Sequence, residues 1–84
     1  MPTFAFSKHA KRKFHKLDSQ TQRRILEKMA ELKANDDFRS MNTIKDAPPA
    51  THRLRVGDYR LVLVQGESSS FLVIDVDHRS RIYR

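Results

Sequence analysis

The chain has 84 residues, no cysteine, a hydrophobic fraction of 38% and a formal net charge of +7. That length suits one small domain over residues 1–84. The composition excludes disulfide chemistry and a membrane helix, which needs roughly 20 apolar residues. Seventeen basic side chains against ten acidic ones favour a polyanionic partner such as nucleic acid. We expect a cytoplasmic protein.

The first part of the chain predicts one strand and two helices. Residues 3–6 (TFAF) favour a strand, and the serine that follows them is a suitable N-cap for a helix over 8–17. A second helix is predicted over 19–33, where Ser19 and Gln22 match a capping box. The apolar positions that recur at helical spacing in the two helices are Ala10, Phe14, Leu17, Ile25, Met29 and Leu32.

The second part of the chain predicts a sheet. Residues 36–50 are expected to form a polar connector, which ends in two prolines. The strands predicted after it are 51–56, 59–65 and 71–76, with a possible last strand at 81–83. A helical hairpin on one face of a mainly antiparallel sheet buries both apolar stripes. The sequence therefore predicts a small α+β domain of order β-α-α-β-β-β.

The dipeptide Gly57-Asp58 predicts a two-residue turn, which fixes the register of the strands on either side. In that register Arg55 lies opposite Arg60, and Arg53 shares their face. The other face collects apolar side chains, which we expect beneath the helices: Leu54, Val56, Tyr59, Leu61 and Leu63.

Like charges directly opposite each other destabilise a sheet, so the facing arginines need an explanation. In one interpretation they extend into solvent or are neutralised by Asp75 or Asp77. In the other they form an anion site, because planar guanidinium groups bind phosphate in a fixed geometry. We favour the anion site, since three arginines share one face.

The basic residues are distributed unevenly. All seven lysines lie within the first 45 residues, whereas every basic residue after position 50 is an arginine. Lysine is suited to long-range attraction and arginine to specific contacts. We therefore expect a surface that attracts nucleic acid, and its predicted members are Lys8, Lys11, Arg12, Lys13, Lys16 and Arg81.

Two stretches, HRLRVGDYRLVLV and DHRSRIYR, resemble the RelE/ParE family of bacterial toxin–antitoxin toxins. The resemblance covers nearly the whole chain, and the C-terminal motif is its more specific part. RelE-type members cut messenger RNA in the ribosomal A site, ParE-type members poison DNA gyrase, and a cognate antitoxin blocks both. For this chain the resemblance implies three partners: messenger RNA, the 70S ribosome and an antitoxin held in a hetero-oligomer.

Carried over by position, the resemblance implies a catalytic set of Arg60, Arg79, Tyr83, Arg55, Arg53 and His78. Arg60 matches the arginine that contacts the scissile phosphate, and Arg79 matches a second arginine that binds phosphate or assists the acid. Tyr83 matches a tyrosine that stacks on the RNA. His78 falls where some members place an acid–base histidine.

The implied chemistry is a metal-free cut without a cofactor, in which the 2′-hydroxyl attacks the neighbouring phosphate. Arg53 and Arg55 stand where RelE enzymes have lysines, and they are poor bases because arginine stays protonated. His52 or His78 could accept the proton instead. The four histidines lack metal-ligand spacing. Two alternatives stay open: a ParE-like gyrase inhibitor, and a catalytically weak relative that binds RNA or antitoxin.

Overall fold

The structure, a computed structural model, describes residues 3–35, 41–44 and 48–82. Its elements in chain order are β1 (Thr3–Phe6), α1 (Lys8–His15), α2 (Ser19–Asn35), β2 (Met41–Thr43), β3 (His52–Val56), β4 (Tyr59–Gln65) and β5 (Ser70–His78). Neither helix in these ranges is long and apolar enough to cross a membrane.

The strands form one sheet in the order β1-β5-β4-β3-β2. β1 is parallel to β5, and the other three strand pairs are antiparallel. Short turns join β3, β4 and β5. Along the chain, the two helices lie between β1 and the other strands, because parallel strands need a long connection. The predicted α+β class, with two helices on a mainly antiparallel sheet, is confirmed.

The core lies between the helices and one face of the sheet. Leu54, Leu61 and Leu63 have no exposed surface, as the alternation of side chains along β3 and β4 predicts. Burying such a side chain contributes about 1.5–3 kcal/mol, so a slip in register would be costly. The buried cluster in the described ranges contains Ala10, Phe14, Ile25, Met29, Leu32, Met41, Leu54, Leu61, Leu63, Phe71, Val73 and Val76.

The β3–β4 hairpin has the predicted register. Gly57 has a φ of 59°, the left-handed conformation that the first position of a type II′ turn requires. Arg55 pairs with Arg60, and Leu54 pairs with Leu61. Because residues opposite each other share a face, the open side of the sheet carries the arginines of this hairpin, which are Arg53, Arg55 and Arg60.

The connector predicted over 36–50 contains a strand that the sequence prediction missed. β2 pairs antiparallel with β3, and Met41 is buried in the core. Three residues are too few to show an alternating pattern, and this pairing depends on the available edge of β3 rather than on local preference. The observed order is therefore β-α-α-β-β-β-β.

The possible last strand at 81–83 is not observed in the described residues. The amides of Arg81 and Ile82 both donate to the His78 carbonyl, at 2.9 and 3.1 Å. Such bonds to one carbonyl curl the backbone into a turn, which cannot pair with a strand. Tyr83 lies outside the described residues.

The helix starts are set by side-chain caps. Ser7 caps α1 as predicted, since its Oγ accepts a hydrogen bond from the Ala10 amide at 3.1 Å. The capping box predicted for α2 is wrong, because the carboxylate of Asp18 accepts from the Thr21 amide at 3.1 Å. Gln22 donates to the Leu17 carbonyl at 2.9 Å. A carboxylate is the stronger acceptor and also complements the positive end of the helix.

Candidate functional site

Four arginine side chains from three segments line one cleft on the open face of the sheet. The cleft has a volume of about 200 Å³. We call it the arginine cleft, and its lining residues are Asn42, Arg53, Arg55, Arg60 and Arg79. Four of the six predicted catalytic residues therefore lie together, although they come from β3, β4 and the turn after β5.

Hydrogen bonds around the hairpin tip position these arginines. The Arg79 amide donates to the Asp58 carbonyl at 2.8 Å, which ties the turn after β5 to the β3–β4 turn. Arg60 Nη1 donates to the carbonyls of Gly57 and Tyr59, both at 2.9 Å. One end of the Arg60 guanidinium therefore braces the turn, while its other nitrogens make no hydrogen bond to the described residues and can contact a ligand.

The two β5 carboxylates considered as partners of the arginines, Asp75 and Asp77, form ion pairs with Lys13, although Asp77 lies opposite Arg60 in the sheet. Asp75 Oδ1 lies 2.7 Å from Lys13 Nζ, and Asp77 Oδ2 lies 3.1 Å from the same ammonium group. Within the described ranges, the side chains of Arg55 and Arg79 make no hydrogen bond or ion pair. Arg55 and Arg79 therefore offer positive charge to a ligand, which suits an anion with several oxygens.

The ion pairs between α1 and β5 change the role expected of Lys13. Burial lowers the pKa of Lys13, but its hydrogen bonds to Asp75 and Asp77 outweigh this and raise the pKa above the usual 10.5. Arg81 Nε also lies 3.2 Å from Asp77 Oδ1. The remaining predicted RNA-binding residues are exposed on or beside α1: Lys8, Lys11, Arg12 and Lys16.

The two histidines considered as proton acceptors lie away from the arginine cleft. The His78 ring meets Tyr59 edge-on at 5.5 Å between centroids, and both line a separate hollow beside the start of α2. The His52 ring meets Phe71 edge-on at 5.2 Å, and burial lowers its pKa. Neither histidine is among the residues that line the arginine cleft.

Asn42 is the cleft residue that sequence reasoning missed. It lies in β2, within the stretch predicted as a connector, and it pairs in register with Arg53. No local pattern marks it, because its place depends on the pairing of two short segments. The described lining of the cleft can bind and stabilise negative charge, but it holds no group that accepts a proton near neutral pH.

The chain is similar to known toxins in sequence and in fold. Residues 4–83 match the model of the family described as ParE toxin of type II toxin-antitoxin system, parDE. No curated protein sequence matches the chain.

Solved structures of RelE toxins share the fold. The RelBE2 toxin–antitoxin complex from Mycobacterium tuberculosis includes a chain with 25% identity and a TM-score of 0.77, over 93% of this chain and 98% of that one. The isolated RelE toxin of E. coli has 24% identity and a TM-score of 0.69, over 99% and 92%. The RelE–RelB complex from Pyrococcus horikoshii has 19% identity and a TM-score of 0.73, over 95% and 97%.

The family match covers nearly the whole chain, and the fold is shared with the RelE structures named above. The chain belongs to the ParE toxin family of type II toxin–antitoxin systems, within the RelE/ParE superfamily.

Proposed function

We propose that this toxin is a ribosome-dependent endoribonuclease that cuts messenger RNA in the ribosomal A site and so inhibits translation. The observation that carries the proposal is the arginine cleft, in which guanidinium groups from three segments converge while Asp75 and Asp77 of β5 form ion pairs with Lys13. Cleaving a phosphodiester builds negative charge on the phosphate oxygens, and fixed cations stabilise that charge.

In the proposed reaction, the 2′-hydroxyl oxygen attacks the adjacent phosphorus and loses its proton as the new P–O bond forms. The bond from phosphorus to the 5′-oxygen breaks, and that oxygen takes up a proton. The products are a 2′,3′-cyclic phosphate and a 5′-hydroxyl. Arg55, Arg60 and Arg79 bind the phosphate oxygens, with Arg53 beside them, and the reaction uses no cofactor.

Proton transfer is assigned to neither histidine. His52 and His78 lie outside the arginine cleft, and the arginines keep their protons. Tyr83 is proposed to stack on the base of an unpaired nucleotide, the role that the family resemblance gives it. In this proposal the cleft supplies charge stabilisation and orientation.

The proposed partners are the messenger RNA, the 70S ribosome and a cognate antitoxin in the cytoplasm. Ribosomal RNA would contact the exposed basic surface of α1, which includes Lys8, Lys11, Arg12 and Lys16. The antitoxin is inferred from neighbours in the structural comparison that are named as a toxin–antitoxin complex and a RelE–RelB complex. Such a complex would be a hetero-oligomer.

A second candidate function is inhibition of DNA gyrase. Two observations favour it: the family model that matches is that of ParE toxins, and the described lining of the arginine cleft holds no proton acceptor. In that case the arginines would be a docking surface for a protein or for DNA.

Parallel assays of the antitoxin-free protein separate the two functions. One assay maps the cuts in messenger RNA on programmed ribosomes and in the same RNA free in solution. The other measures gyrase supercoiling. We expect cuts in the A-site codon that need ribosomes and disappear in Arg60→Ala. Folded protein that makes no cut but blocks supercoiling would reject the nuclease in favour of the second candidate.

A further inference from the structure

Asn42 is the one uncharged side chain among the described residues that line the arginine cleft. It is the middle residue of β2, and its register partner is Arg53, so it lies on the open face with the guanidinium groups. It is exposed, and its amide makes no hydrogen bond within 3–35, 41–44 or 48–82. The amide is therefore available to whatever the cleft binds.

The chemistry of an amide differs from that of the four arginines. A guanidinium group only donates hydrogen bonds, and its contacts to phosphate are the same for every nucleotide. Asn42 presents an acceptor (Oδ1) beside a donor (Nδ2). That pair is complementary to a base edge with one acceptor and one donor, such as N7 and N6 of adenine.

The sheet places this amide at a suitable distance from the phosphate site. Asn42 is the diagonal neighbour of Arg55 across β2 and β3, a relation in which residues are roughly 7–8 Å apart. Arg55 in turn faces Arg60. A phosphate held by these two arginines leaves its nucleotide room to extend towards β2, the edge strand of the sheet. Single-stranded RNA has unstacked bases that can lie this way.

We propose that Asn42 reads the base of the nucleotide whose phosphate occupies the arginine cleft, and so gives RNA binding a sequence preference. The inference rests on the proposed function, because it takes single-stranded RNA as the ligand. It adds a division of roles, in which the arginines hold the backbone and the amide selects the base.

Binding without cleavage tests the inference. The probes are four short single-stranded RNAs that differ only in the central base, each with deoxyribose at that position and at the preceding one, so that neither phosphate beside the central base can be cut. We expect the wild type to bind its best RNA at least about fivefold more tightly than its worst. Asn42→Ala should bind all four equally.

Two control variants sharpen the comparison. Arg55→Ala should weaken binding to all four RNAs by the same factor, since it removes a phosphate contact. The ratio between the four affinities should therefore stay as in the wild type. Thr43 is the next exposed residue of β2 and lies on the other face. Thr43→Ala should therefore change neither the affinity for RNA nor the ratio between the four affinities.

Three results would overturn the inference: no binding, equal binding by the wild type, or an unchanged ratio in Asn42→Ala. The outcome is separable from that of the nuclease proposal. Base-selective binding by a protein that never cuts RNA on ribosomes would support the role of Asn42 and reject the nuclease. Cleavage by a protein with no base preference would reject the role of Asn42 alone.

Discussion

Arg55 and Arg60 face each other across β3 and β4, and this pair links the stability of the hairpin to its proposed use. The turn residues made the pair predictable, because glycine followed by aspartate fixes the register. The convergence of Arg79 was not predictable from spacing, since it depends on a backbone hydrogen bond to Asp58. Asn42 was missed for the same kind of reason.

Replacing Arg55 should stabilise the fold and weaken anion binding. Arg55→Gln removes a like-charge contact, so we expect the free energy of unfolding to rise by up to about 1 kcal/mol at low salt. Thermal unfolding measures this, and added inorganic phosphate should raise the Tm of the wild type more than that of the variant. Equal phosphate effects on both proteins would argue against an anion site.

Lys13 is expected to contribute to stability rather than to RNA binding. Lys13→Met removes the ion pairs to Asp75 and Asp77, and we expect a loss of about 1 kcal/mol at neutral pH, because the pairs are only partly buried. Lys11→Met is the matched control, since Lys11 is exposed on the same helix. Denaturant unfolding checks both variants. An equal loss of unfolding free energy in Lys11→Met would show that the ion pairs of Lys13 do not stabilise the fold.

The same ion pairs predict how stability depends on pH. Burial raises the pKa of Asp77, but the His78 amide and Lys13 outweigh this and hold it below 3.8. A lowered carboxyl pKa gives a stabilisation that is complete above about pH 4 and is lost as the pH falls through the lowered pKa. The wild type should therefore lose more stability in this acid range than Lys13→Met does. An equal loss of stability in the two proteins as the pH falls would contradict this prediction.

At the scale of elements, periodic segments and the aromatic strand β1 were predictable, whereas the three-residue strand β2 was not. The hairpin and both helices follow from alternation, turn chemistry and helical spacing. β2 has three residues, and its existence depends on Met41 entering the core and on the edge of β3. The cap of α2 was misassigned because aspartate and serine are adjacent there and both are good caps.

The cap of α2 can be tested by two neighbouring substitutions. Asp18→Ala removes the acceptor of the Thr21 amide and should lower the Tm, whereas Ser19→Ala should leave it nearly unchanged. The hydrogen bond from the Thr21 side chain holds the pKa of Asp18 below its usual value, so the difference between variants should shrink in strong acid. Circular dichroism melts measure both effects. A larger loss in Ser19→Ala would restore the predicted capping box.

Across the whole molecule, positive charge forms two surfaces with different tasks. The arginine cleft lies on the open face of the sheet, and the exposed lysines lie on α1. Affinity for single-stranded RNA falls with salt, and each phosphate contact adds about 0.7 to the log–log slope. A Lys11→Gln/Arg12→Gln double variant should therefore lower the slope of ribosome binding, measured by sedimentation over a salt series. A slope equal to that of the wild type would exclude α1 from the interface.

The most direct test compares variants on the two faces of the sheet in A-site cleavage on programmed ribosomes. Arg55→Ala and Arg79→Ala alter the arginine cleft, whereas His78→Ala alters the hollow beside Tyr59. We predict that both cleft variants stay folded, as judged by circular dichroism, and lose cleavage, while His78→Ala retains it. Cleavage that survives in the cleft variants and disappears in a folded His78→Ala would contradict the account, because the chemistry would then lie on the opposite face.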